Sequence, residues 1–138
     1  MPGRIHTAED TGLNDSDKVI ALSTELLNRV LSVHVQLTAT ATAGNRLAQV
    51  MARDSGGNIL WASQPTAVQA ANLAYEYTFA VGLAVDDSAA LNTFVRVPLP
   101  YSWLPSSADL RIRDIGAVDA AADDMTVRVV YETAPQGG

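Results

Sequence analysis

Arg29-Val-Leu-Ser-Val-His-Val-Gln-Leu-Thr-Ala-Thr-Ala-Thr42 is the stretch whose reading decides the fold. Leu31, Val33, Val35, Leu37, Ala39 and Ala41 share one parity, while Ser32, His34, Gln36, Thr38, Thr40 and Thr42 share the other. Strand side chains alternate between faces, so this pattern predicts a long strand with one buried and one solvated face. Branched Val and Thr suit that pleated surface. The stretch points to an all-β chain and carries no chemistry of its own.

Working outward, Ala43-Gly44-Asn45 supplies a turn and residues 47–54 read as the next strand. Ser55-Gly56-Gly57-Asn58 has hairpin chemistry, because Gly and Asn accept positive φ at little cost, and 59–62 would return. Gln64-Pro65-Thr66 breaks the run, since Pro removes a ladder donor. Leu73, Tyr75, Tyr77, Phe79 and Val81 then alternate with smaller or polar residues. That aromatic stripe is expected in the core, because stacking platforms need exposed, irregularly placed rings. Asp86-Asp87-Ser88 opens a loop before a strand over 93–99. Two further strands follow, 109–115 with Leu110 and Ile112 inward, and 125–132 with Met125, Val127, Val129 and Tyr131 inward.

Upstream, Val19, Leu22, Leu26 and Val30 have helical spacing after a possible cap at Asp17, but a bend at Asn28-Arg29 favours extended structure. The polar segment 1–17 holds only Ile5 and Leu13 as large apolar groups and reads as an extended N-terminal arm, either a frayed terminus or a segment that becomes ordered against a partner. Seven or eight short strands separated by turn signals predict an antiparallel two-sheet β-sandwich, jelly-roll-like, over 18–132, with a tail over 133–138.

At 138 residues the chain is expected to be one domain. It has no Cys, which excludes disulfides and thiolate metal sites. A net charge of -6 argues against nucleic acid as a partner. No apolar run approaches the roughly 18 residues of a membrane span, and 1–17 lacks the apolar core of a secretory signal.

Candidate chemistry is sparse. His6 lies in the arm and His34 on the polar parity of the long strand, where a surface or interface role is expected. No Gly-x-Ser-x-Gly elbow, P-loop, dinucleotide fingerprint or HExxH is present. Asp86-Asp87 and Asp119, Asp123 and Asp124 fall in loops and read as solvated carboxylates, with a calcium site in the Asp119–Asp124 loop as the alternative. No catalytic residue, metal ligand or cofactor is assigned, and the chain is not expected to be an enzyme. Pro98-Leu-Pro-Tyr-Ser-Trp-Leu-Pro105 is too Pro-rich for an internal strand and reads as a rigid extended connection. Its aromatics are natural contact residues or a plug closing the end of the sandwich.

Several stretches together resemble the small β-sandwich virion proteins of tailed bacteriophages. They are the Thr/Ala-rich strand ending in Ala43-Gly44-Asn45-Arg46, the hairpin Arg53-Asp-Ser-Gly-Gly-Asn-Ile-Leu60 and the aromatic strand Tyr75-Glu-Tyr-Thr-Phe79. Val97 to Pro105 followed by Asp109-Leu-Arg-Ile-Arg113, and the closing strand 126–132, add to them. The resemblance covers about residues 26–132. It implies a jelly-roll-like decoration or cement protein on the capsid surface, assembled in the host cytoplasm. Its expected partners are the major capsid protein and two further copies of itself in a trimer. Arg4, Ile5 and His6 of the arm and Tyr101, Trp103 and Leu104 of the Pro-rich segment are the interface candidates. A phage tail or baseplate sandwich and a carbohydrate-binding module are the rival readings.

Overall fold

The long alternating stretch is a strand, with its inward parity sealed: Val33, Val35 and Leu37 have no solvent exposure. In the structure, a computed structural model describing residues 4–83 and 94–135, this strand is β3 (Leu27–Thr38). A bulge between Val30 and Ser32 shifts its phase, so Asn28 and Val30, not Leu31, point inward at its start. Past Thr38 the chain turns, and Ala41 is exposed.

Nine strands and no helix occur among the described residues. They are β1 (Arg4–Asp10), β2 (Lys18–Ala21), β3, β4 (Ala48–Arg53), β5 (Ile59–Ser63), β6 (Ala74–Val81), β7 (Phe94–Leu99), β8 (Asp109–Asp114) and β9 (Asp124–Ala134). The expected Asp86-Asp87-Ser88 loop and the start of the 93–99 strand at Thr93 lie outside the described residues.

Two sheets form a sandwich, ordered β1-β9-β3-β6-β7 and β2-β8-β4-β5. The antiparallel pairs nest in sequence: β4 with β5, β3 with β6, β2 with β8, and β1 with β9. That is one long hairpin rolled up, the jelly-roll plan, closed by β3 against β9 and β4 against β8. β7 is an addition, lying parallel to β6 at the sheet edge. Its Pro98 is tolerated there because an edge strand can do without one donor.

The core fills from both inner faces. Leu110 and Ile112 of β8 and Met125 and Val127 of β9 are fully buried. Tyr77 and Phe79 join them from the aromatic strand, while Leu73, just ahead of that strand, is 37 % exposed. Burying each such side chain contributes about 1.5–3 kcal/mol. The β4–β5 turn is held as its residues suggest: Asp54 Oδ1 accepts from the Gly56 and Asn58 amides, and Gly57 takes φ 82°. Those bonds hold the Asp54 carboxyl below the usual carboxylate range.

The polar arm expected over 1–17 is corrected over Arg4–Asp10, which is an edge strand of the larger sheet. Hydrogen bonding to β9 secures it although it buries little apolar surface, a route that hydropathy does not report. At the other end, β9 runs on to Ala134 and Thr133 is buried, so the closing strand is longer than expected.

Candidate functional site

Antiparallel pairing places Ile5, Glu132 and Arg29 side by side across β1, β9 and β3. Their neighbours Asn28, Val30 and Thr133 are buried, so this row lies on the outward face. Arg29 forms an ion pair with Glu132. The Tyr101 and Trp103 rings lie against its guanidinium, 4.0 and 4.2 Å from carbon Cζ to the ring centroids. Both rings remain exposed, as does Ile5.

A clamp beneath fixes this surface. Asn28 and Leu104 exchange backbone hydrogen bonds, and the Asn28 amide donates to the Ser23, Leu26 and Pro105 carbonyls. The Pro-rich segment is thereby pinned against the start of β3, which holds Tyr101 and Trp103 in place. Leu104 is only 2 % exposed, so it anchors the segment from within and is corrected from contact residue to core residue.

The other candidates divide by parity. Ile5 joins the aromatic surface. His6 lies on the opposite parity, half-buried, stacked on Tyr131 at 5.1 Å with Nε2 3.0 Å from Thr133 Oγ1. Arg4 shares that parity and is exposed. The two regions singled out in the sequence thus share one outward face, with Arg29 and Glu132 lying between Ile5 and the Tyr101–Trp103 pair. Arg29 and Glu132, which link them, carry no sequence signal beyond alternation.

A second constellation occupies the opposite end of the roll, where the β1–β2, β3–β4, β5–β6 and β8–β9 connections converge. Arg46 is fully buried and donates through Nε and Nη2 to both carboxylate oxygens of Asp123, at 2.8 and 3.1 Å. Its Nη1 reaches the Thr42 and Gly44 carbonyls, and its backbone bridges Gln69. Gln69 in turn donates to the Leu37 and Leu73 carbonyls and accepts from the buried Tyr77 hydroxyl. Burial works against the Asp123 charge, but the bonds from Arg46 and the Thr40 amide outweigh it and hold its pKa low. Asp123 itself raises the Arg46 pKa against the same burial.

Asp114 and Asp15 complete this knot. Asp114 Oδ1 accepts from the Leu47 and Gly116 amides. The Asp15 amide donates to the Ala120 carbonyl, and Met125 donates to Asn14, docking the β1–β2 loop onto the β8–β9 loop. Burial pushes the Asp15 carboxyl up to about 7, aided by the neighbouring Asp114 carboxyl and the Asp123 charge, with Arg46 opposing.

The solvated-carboxylate reading is corrected for Asp123, which is buried because a buried guanidinium meets it. The calcium alternative over Asp119–Asp124 is not assembled as a loop cluster. Asp119 is spent on the Thr40 and Thr42 hydroxyls, and Asp124 opens β9 opposite Thr38. Asp114 had a legible signal, since it continues the inward parity of Leu110 and Ile112. Arg46, in a turn of Gly and Asn, had none.

No family model and no curated protein matches the sequence. Among solved structures, the chain is similar to a chain in a structure of infectious bursal disease virus, Gx strain, with 11% identity and a TM-score of 0.42. The match covers 99% of this chain and 33% of that one, so the chain spans about a third of its length. It is also similar to a chain of turnip yellow mosaic virus, with 11% identity, a TM-score of 0.33 and coverage of 97% and 81% respectively.

Proposed function

We propose that this chain is a structural virion protein that performs no reaction. It binds the outer surface of a phage capsid as a decoration or cement protein, bridges neighbouring capsomers and works as a trimer. The observation that carries the reading is the outward face of the jelly roll that exposes Ile5, Tyr101 and Trp103, the two rings backed by the largely buried Arg29 guanidinium. Trp, Tyr and Arg are the side chains that dominate protein–protein contacts when they are held in place. Here the Asn28–Leu104 clamp holds them before any partner arrives, which reduces the ordering cost of binding. A protein that binds only the assembled shell stabilises that shell by mass action.

Co-sedimentation with capsids lacking this protein tests the proposal. Wild-type chain should bind saturably, at a ratio set by the capsid lattice, and Trp103→Ala and Ile5→Glu should bind at least tenfold more weakly. Absence of the chain from purified particles, or undiminished binding by both variants, would overturn it. Glycan-array binding lost in Trp103→Ala would favour the carbohydrate-binding alternative.

A further inference from the structure

We propose that Asp15 and Asp114, with Asp123 beside them, form a binding site for one hard divalent cation of the calcium class. One oxygen from each of the three carboxylates lies within 4.8 Å of those of the other two, and all three residues are buried. Oxygens at that spacing can be bridged by one ion with bonds of about 2.3–2.6 Å.

Proximity of acids alone would say little; the orientation of the free lone pairs says more. Asp15 is 3 % exposed, and no protein donor among the described residues reaches either of its carboxylate oxygens. The same holds for Asp114 Oδ2. Asp114 is aimed by the Leu47 and Gly116 amides on its Oδ1, and Asp123 is aimed by Arg46 and the Thr40 amide. The backbone bond from Asp15 to Ala120 then delivers a third carboxylate among two others. Asp15 and Asp114 Oδ2 thus bring unpartnered oxygens together beside the Arg46-bound Asp123 carboxylate, and carboxylate oxygens are hard donors of the type calcium takes.

Charge points the same way. Three carboxylates against the single guanidinium of Arg46 leave two negative charges, which one divalent cation neutralises. Asp119 is the other acid close to Arg46, and its Oδ2 is occupied by the Thr40 and Thr42 hydroxyls. Lys18, the nearest buried amine in sequence, is bonded to the Gly12 carbonyl and Asn14 Oδ1. A shared proton is the rival counter-charge, and it neutralises only one of the two. Bound calcium would tie the β1–β2 loop to the ends of β8 and β9, and so lock the edge strand β1 to the roll.

Thermal unfolding of the full chain at pH 8, in chelator-treated buffer titrated with CaCl2 at constant ionic strength, tests the site. The wild-type Tm should rise with the logarithm of calcium concentration, with one-to-one stoichiometry by calorimetry. Asp15→Asn should fold, match or exceed the wild-type Tm without calcium, and show no calcium response. A wild-type Tm indifferent to millimolar calcium would overturn the proposal and leave the shared proton as the counter-charge. An equal response in wild type and Asp15→Asn would overturn it as well.

Discussion

Arg46 and Asp123, 77 positions apart in the chain, form a bidentate ion pair from which solvent is excluded on both sides. The pair joins the β3–β4 turn to the foot of β9 and sits where four connections of the roll meet. A buried pair of this kind is not itself a large source of stability, because desolvation offsets most of the attraction. Losing one partner is another matter.

Arg46→Met keeps most of the side-chain volume and removes the guanidinium, leaving Asp123 beside Asp114 and Asp15 with no cation. The expected loss is about 3–5 kcal/mol, read from urea unfolding at pH 7. A loss below about 1 kcal/mol would mean that the carboxylates are neutralised some other way.

Stability without divalent cations should depend on pH in a defined sense. Asp15 has a folded-state pKa of about 7, well above the ordinary carboxylate value of about 4. Its contribution is therefore complete below about pH 4 and is lost as pH rises through 7. Asp123 is shifted the other way, so its contribution is present above its unfolded pKa and is lost as pH falls through its lower folded pKa. In chelator, the urea midpoint should thus peak at about pH 4, fall as pH rises to about 7 and level off above it. Asp15→Asn should flatten the alkaline side of that curve, and an unchanged slope would show that Asp15 is not the group responsible.

Gly116 is needed for space. A Cβ there would stand 2.1 Å from the Asn45 carbonyl oxygen, a backbone atom that cannot swing aside. Gly116→Ala should cost roughly 1–3 kcal/mol, the range for forced overpacking, and lower the Tm accordingly.

Tyr77→Phe leaves the Gln69 Oε1 acceptor buried without its donor. The expected cost is about 1–3 kcal/mol by chemical denaturation, with the same far-ultraviolet circular dichroism. Tyr77 is buried, and burial pushes its phenol pKa up, so no ionised form complicates the comparison near neutral pH.

Trp103→Ala should separate adhesion from stability. Its cation–π contact with Arg29 is at the surface and is worth about 0.5–1 kcal/mol, so unfolding should change little while capsid co-sedimentation drops. The point variant is a better probe than deleting 1–17, because that deletion would remove β1 and Asp15 together.

By itself the sequence determined the elements whose evidence is local. Alternation through Val33, Val35 and Leu37, the turn residues Gly56-Gly57-Asn58, and the parities of β8 and β9 each report a strand or turn from neighbours a few positions apart. The bulge at Val30–Ser32 escaped that reading because it changes the phase without changing the composition. Only the tertiary structure decided that Arg4–Asp10 pairs with β9, that Ile5 shares a face with Tyr101 and Trp103 across Glu132 and Arg29, and that Asp15, Asp114 and Asp123 gather around Arg46. Those partners lie up to about a hundred and thirty positions apart, and a carboxylate in a loop has the same local sequence whether it faces water or a buried guanidinium. Periodicity reveals which way a side chain points; what it meets there depends on how the whole hairpin rolls up.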